Sequence, residues 1–248
     1  MRRNFYIIIL ILAIAVFGFS GWQLYSIYHS YEIADKEYSE LEEKYLSERT
    51  DSEEEETGEK WDIDFDSLSE INSDTVAWLV FPACSISYPI VQTNDNEYYL
   101  THTFENSNNH SGAIFLDYLN SADFSDYNSI IYGHNMKNGT MFGSLKKLYQ
   151  NTNLRTSNPY FYLILPEKRV LTYEIFSYYI SDDNSPAYNI VRTETDFQSY
   201  INYCLKNSIE NTGINPGVND KILTLATCYG AAGTSKRFFV HGVLKSSQ

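Results

Sequence analysis

The amino-acid sequence predicts a mostly β body with helical insertions, of the barrel or sandwich type, preceded by a long apolar N-terminal helix. Three observations lead there. Seven apolar, β-branched and aromatic runs recur between residues 76 and 244, divided by clusters of Asn, Asp, Ser, Gly and Pro. Between them, two stretches place their apolar residues at helical spacing instead. At the start of the chain, Phe5 to Phe19 carries no charged or strongly polar side chain.

The N-terminal run is extended by Gly21, Trp22, Leu24 and Tyr25 to about the 20 residues that a bilayer core requires. Arg2 and Arg3 precede it and acids follow, so the N-terminus is expected in the cytoplasm and the body outside a cell membrane crossed once. A cleaved signal peptide is the alternative. Against it, Phe17-Gly18-Phe19-Ser20 offers no A-x-A-like cleavage site, and Trp22 and Tyr25 suit an interfacial anchor. Residues 1–28 are therefore read as a cytoplasmic tip and transmembrane anchor.

Residues 29–60 hold 13 acids and 4 bases and read as an acidic stalk. Tyr38, Leu41, Tyr45 and Leu46 fall near helical spacing, so the stalk is expected to be a partly helical spacer, with the Glu53 to Glu56 block solvated. The whole chain has 32 acids against 18 bases and a net charge of −14. That balance repels a phosphate backbone, so nucleic acid is not an expected partner. An aromatic content of 16% is too high for a wholly disordered protein.

Residues 61–248 form the globular domain. Asp66 is expected to cap a short helix that includes Glu70. Strands are expected at 76–81, 113–118, 129–132, 160–165, 170–180, 221–227 and 238–244. One helix is expected over 140–148, with Met141, Leu145 and Leu148 on one face. Another is expected over 195–207, with Phe197, Ile201, Cys204 and Leu205 on its apolar stripe.

Three cysteines cannot all pair with one another, so at least one thiol is free or pairs between molecules. Cys204 lies on an apolar stripe, where a cysteine acts as a small hydrophobe. Cys84 follows Pro82-Ala83 with no partner in chemistry nearby. Cys228 ends a strand and precedes the Gly-rich loop 229–236, which makes it accessible. A thiol of ordinary pKa is mostly protonated at neutral pH and needs a nearby histidine or cation. If the strands flanking that loop pair as a hairpin, Arg237 faces Cys228, and a fixed cation beside a thiol suits an oxyanion. Arg237 has no acidic neighbour in sequence. Of the five histidines, His29 lies in the stalk, His102 and His110 in a polar stretch, and His241 inside the last strand. His134 instead follows a strand end and precedes a turn. Cys228, His134 and Arg237 are thus the parts of a thiol acyl-transfer site.

No metal or other cofactor is expected. Asp123, Asp126, Asp182 and Asp183 lack the spacing of a calcium loop and read as solvated loop charges. A zinc ion on His134 and Cys228 would block the nucleophile and leave Arg237 without a role.

Tyr132-Gly-His-Asn-Met136, then Gly139-Thr-Met-Phe-Gly-Ser-Leu145, and Thr224-Leu-Ala-Thr-Cys228 with Arg237 nine residues on, resemble the sortase family, specifically class B. The resemblance spans most of residues 61–248 and includes Ile71 to Trp78 and Tyr88 to Leu100. The helix at 195–207 also resembles class B rather than class A. What this implies is an eight-stranded sortase-type β-barrel that cleaves a sorting signal in secreted proteins after Thr and joins them to an amine of peptidoglycan or its lipid-linked precursor. By the same resemblance Cys228 is the nucleophile, His134 the acid and base, and Arg237 the oxyanion donor. The substrate peptide is then expected near Thr227, Tyr132, Asn96, Leu100 and Tyr188. Ala226 and Tyr229 stand where some class B members carry Ser and Glu, so roles of those side chains do not carry over. A pilin-polymerising ligase and a non-catalytic surface binding module with this fold are the alternatives.

Overall fold

The structure, a computed structural model, describes residues 2–48, 61–230 and 233–247. Its first element, α1 (Arg2–Tyr45), is one continuous helix of 44 residues, about 66 Å long at 1.5 Å per residue. Among the described residues it is the one helix long and apolar enough to cross a membrane. Its large apolar side chains from Phe5 to Tyr28 are exposed. The far end of the same helix behaves differently.

Ala34, Tyr38, Leu41 and Tyr45 recur at helical spacing and are buried in the main core. The expectation of a solvated spacer is therefore corrected for this segment: the apolar stripe that hinted at a helix is the stripe by which α1 docks on the globular body. The Glu53 to Glu56 block lies outside the described residues. After α1, β1 (Leu46–Glu48) and β2 (Trp61–Ile63) form a short antiparallel ribbon.

The short helix α2 (Phe65–Ile71) starts two residues earlier than a cap at Asp66 would give. Asp64 is the cap instead, its carboxylate accepting the Ser67 N–H at 3.0 Å and the Ser67 hydroxyl at 2.7 Å. The reason is burial: Phe65 and Leu68, three residues apart, are the side chains that turn inward, which leaves Asp66 in the first turn.

The body is a closed barrel of eight strands. In chain order these are β3 (Thr75–Phe81), β4 (Ile86–Val91), β5 (Ile114–Leu116), β6 (Asn128–Tyr132), β7 (Tyr160–Ile164), β8 (Val170–Asp182), β9 (Ile222–Cys228) and β10 (Lys236–Ser247). Around the barrel the order is β10-β8-β7-β3-β4-β5-β6-β9, with β4–β5 and β6–β9 parallel and the other pairs antiparallel. Each of the seven expected runs coincides with a barrel strand. The eighth, β4, contains Pro89, a residue that argues against a central strand because it donates no ladder bond. It nevertheless sits opposite Trp78 in the antiparallel pairing with β3, while the parallel pairing with β5 begins only at Ile90.

The helix expected over 140–148 is shorter and later. Met141 has φ of 51° and bridges to Asn135, so regular helix waits for a 3-10 turn at Gly143–Lys146 and α3 (Lys147–Gln150), followed by α4 (Thr152–Ser157). Met141, Leu145 and Leu148 are buried all the same. The last helix, α5 (Glu194–Asn207), matches its expectation, with the Thr193 hydroxyl accepting the Asp196 N–H at its start.

Two apolar clusters result. One fills the barrel and extends under α1 and α2. The other lies on the outer face of β6, β8, β9 and β10 and is covered by α5, whose Phe197, Tyr200, Ile201 and Cys204 meet Ile130, Phe176, Ala226 and Phe239. Successive residues of β9 therefore alternate between the clusters: Leu223 and Leu225 point in, Ile222 and Ala226 point out.

Candidate active site

Three neighbouring strands bring the predicted reactive residues to one end of the barrel. β6 and β9 run parallel with Tyr132 opposite Ala226, and the Gly133 N–H continues the ladder to the Ala226 carbonyl at 3.2 Å. Two residues further along each chain are His134 and Cys228, so they leave adjacent strands at the same level. β10 runs antiparallel to β9 and sets Arg237 directly opposite Cys228. The hairpin expected from sequence is present, and it closes with the Tyr229 N–H on the Lys236 carbonyl at 2.9 Å.

All three cysteines are free, and they differ sharply in environment. Cys84 and Cys204 are fully buried, and burial pushes each thiol up to about 12, so neither ionises near neutral pH. Cys228 is exposed at the strand end. By the alternation of β9 its side chain shares the outer face with Ala226.

His134 is held by what surrounds it. The Phe142 N–H donates to the His134 carbonyl at 2.9 Å, closing the turn that follows. Gly133 is required beside it because a Cβ there would overlap Phe142 and Ile114. The ring Nε2 lies 2.7 Å from the Leu100 carbonyl, which makes Nε2 a protonated donor and leaves Nδ1 for other chemistry. The second wall of the ring is Gly112, at φ of 57°, where a Cβ would come within 3.1 Å of His134 Cδ2.

Arg237 is anchored through one guanidinium nitrogen, which donates to the Thr234 carbonyl at 2.7 Å and the Lys236 carbonyl at 3.0 Å. Its other terminal nitrogen approaches the Asp183 carboxylate at 3.9 Å. It lines a groove of about 320 Å³ together with Asn96, Leu100, Tyr132, Asp183 and Tyr188, with Phe115 completing the wall. Tyr188 stacks on Tyr132 at 6.0 Å between centroids. Burial pushes the Tyr188 phenol up to about 12, with the Arg237 cation opposing, so it stays protonated at neutral pH.

Of the residues expected near a substrate, Asn96, Leu100, Tyr132 and Tyr188 converge on this groove. Thr227 does not line it. It alternates to the interior side with Leu225, is buried, and its hydroxyl has no hydrogen-bond partner among the described residues.

Asp117 had no signal in the sequence beyond lying one residue before the end of an expected strand, yet it organises the groove floor. One of its carboxylate oxygens accepts from the Tyr132 hydroxyl at 2.7 Å and from Asn96 Nδ2 at 2.9 Å. This carboxylate and burial together raise the Tyr132 phenol far above its ordinary value, burial being the larger cause. Of the loop acids, Asp123, Asp182 and Asp183 remain open to solvent, as expected, while the Asp126 side chain is largely buried against its partner. Asp182 pairs with Lys236 at 2.7 Å, Asp126 with Arg192 at 3.0 Å, and Asp123 accepts the Ser125 N–H. Chain separation hid the Asp126 pair, whose members are 66 residues apart.

Comparison with known proteins agrees with this geometry. A sortase domain model matches residues 79–245. Sortase B of Listeria monocytogenes is 33% identical over 226 residues, which cover 88% of this chain and 87% of that protein. Among solved structures, a sortase B from Bacillus anthracis superimposes with a TM-score of 0.72 at 29% identity, covering 88% of this chain and 99% of that one. Sortase B of Clostridium perfringens gives 0.68 at 33% identity, covering 73% and 100%. The closed barrel, the helix over the outer face of β9 and β10, and these likenesses lead to one conclusion: the chain belongs to the sortase family, as a class B sortase, and is a transpeptidase.

Proposed function

We propose that this chain is a membrane-anchored cysteine transpeptidase that cleaves a C-terminal sorting signal, of Asn-Pro-x-Thr-x or Ser-Pro-x-Thr-Gly type, after Thr and transfers the protein to a cell-wall peptidoglycan amine. The single observation that carries this reading is the juxtaposition of Cys228, His134 and Arg237 on adjacent strand ends beside an aromatic groove.

The signal lies in the groove, with its proline against the Tyr132 and Tyr188 rings. With the thiol proton of Cys228 held on His134 Nδ1, the Cys228 thiolate attacks the Thr carbonyl carbon, and the carbonyl electrons move to oxygen. Arg237 donates to that oxyanion from a guanidinium already fixed by two loop carbonyls, so little reorganisation is needed as charge develops. Collapse of the intermediate breaks the C–N bond, and His134 gives its proton to the leaving amine. A thioester between Thr and Cys228 remains. In the second half His134 takes a proton from the incoming amine, whose nitrogen displaces the thiolate and forms the new amide.

The helix of 44 residues anchors the enzyme, with Arg2 and Arg3 on the cytoplasmic side and the barrel outside. The test uses the full chain in detergent micelles with quenched fluorescent x-Pro-x-Thr-x peptides. The expected result is cleavage after Thr that is lost in Cys228→Ala. Absence of cleavage across the library by a folded enzyme, or undiminished cleavage by Cys228→Ala, contradicts the reading.

A further inference from the structure

The residues that face His134 from outside the strands belong to one loop, 98–112, which supplies the Leu100 carbonyl and the Gly112 backbone. Nothing in the barrel ladder holds the middle of this loop. It is attached to Asn72 at the end of α2, whose Nδ2 donates to the Phe104 carbonyl at 2.7 Å, and above all to α1. The Tyr38 hydroxyl donates to the Gly112 carbonyl at 2.7 Å and accepts the Phe104 N–H at 3.1 Å. The Glu37 carboxylate accepts the Glu105 N–H at 3.0 Å, and Asn109 Nδ2 donates to the Ser30 carbonyl at 2.8 Å. Tyr38 is 5% exposed, so its two bonds form away from water, where losing one leaves a stranded polar group, while the Glu37 and Asn109 bonds are part-buried.

We propose that Tyr38 is a positioning residue for His134, and that the extramembrane end of the long helix is thereby a working part of the catalytic site. This rests on the catalytic reading of His134 given above. Two backbone groups, at Gly112 and Leu100, transmit the effect. Tyr38 fixes Gly112, which sits so close to the imidazole that a Cβ there would lie 3.1 Å from Cδ2, and the Ala113 N–H on the Tyr99 carbonyl at 3.0 Å ties that wall to the segment carrying Leu100. The Leu100 carbonyl in turn sets which imidazole nitrogen keeps its proton and how the ring is turned. A loop free of α1 would let the ring swing while, of the groove residues, only Leu100 belongs to the loop and Asn96, Tyr132, Asp183, Tyr188 and Arg237 stay in place. The effect therefore belongs to turnover rather than to peptide binding.

The test compares kcat and KM for a cleaved x-Pro-x-Thr-x peptide in the full chain and its variants, well below each variant's melting midpoint. Tyr38→Phe is expected to lower kcat at least fivefold with KM within twofold. Arg155→Ala, which breaks the Arg155–Glu210 ion pair elsewhere in the body, controls for lost stability and is expected to keep kcat. Glu37→Gln retains an acceptor for the Glu105 N–H and is expected to stay near wild type, whereas Glu37→Ala is expected to lose kcat. Should Tyr38→Phe fail to fold, the Glu37 pair decides, since equal kcat in Glu37→Gln and Glu37→Ala overturns the proposal. So does an unchanged kcat in folded Tyr38→Phe beside an inactive His134→Ala. An active His134→Ala would instead remove the catalytic reading itself.

Discussion

At the scale of single residues, chemistry separates three cysteines that composition alone makes equal. Cys84 and Cys204 are buried with their thiols pushed up to about 12, while Cys228 is exposed. Iodoacetamide at neutral pH should therefore add one carbamidomethyl group to the folded chain, at Cys228, and three after denaturation, read by intact and peptide mass spectrometry. Rapid labelling of Cys84 or Cys204 in the folded state would contradict the burial argument. Arg237 provides the second expectation. Arg237→Ala should lower kcat by about 10² to 10³, the loss typical for a removed oxyanion donor. Arg237→Lys should recover only part of that, because a point ammonium lacks the planar fork of donors. Cys228, His134 and Arg237 were legible in sequence because each sits at a strand end marked by glycine or a turn. Asp117, Asp183 and Tyr38 were not, because their partners are brought to them only by closure of the barrel and docking of α1.

At the scale of elements, what the sequence left unread has identifiable physical causes. β4 was hidden by Pro89, whose missing N–H is tolerated at that position in the ladder. The 140–148 helix was displaced because the chain leaving His134 makes a closed turn, with Met141 in the left-handed region. α2 starts at Phe65, one residue before Asp66, because its buried face, Phe65 and Leu68, makes Asp64 the cap. That last difference is directly measurable. Asp64→Ala should reduce stability by about 1 kcal/mol, the usual loss for an N-cap, and Asp66→Ala by clearly less, in matched denaturant titrations. Equal losses would return the cap to ambiguity and contradict the assignment of Asp64.

At the scale of the whole molecule, one buried group couples the body to pH. His241 lies fully buried among Phe176, Tyr179, Tyr200 and Phe239, with Nδ1 2.9 Å from the Thr224 hydroxyl. Burial lowers its pKa from 6.5 to about 3. Between those values the unfolded chain binds a proton that the folded one does not, so stability rises with pH through the window and is lost on acidification. The loss is at most about 1.4 kcal/mol per pH unit. Melting midpoints should accordingly fall more between pH 6.5 and pH 4.5 in wild type than in His241→Asn, and equal falls would contradict this assignment.

The barrel class, its helical insertions and the long apolar helix were all legible, since hydrophobic periodicity reports local burial. The docking of α1 was only half legible: its stripe showed as Tyr38, Leu41 and Tyr45, while the surface receiving it exists only once the barrel is closed.

The proposal that unites these scales is a thioacyl enzyme formed on Cys228 with His134 and Arg237 at its side. It is tested most directly by intact-mass spectrometry of the full chain, quenched in acid during turnover of an x-Pro-x-Thr-x peptide. The account predicts an added mass equal to the peptide fragment ending in Thr, mapped to Cys228 and absent in Cys228→Ala. Sustained cleavage with no adduct under these conditions, or an adduct that persists in Cys228→Ala, would contradict it.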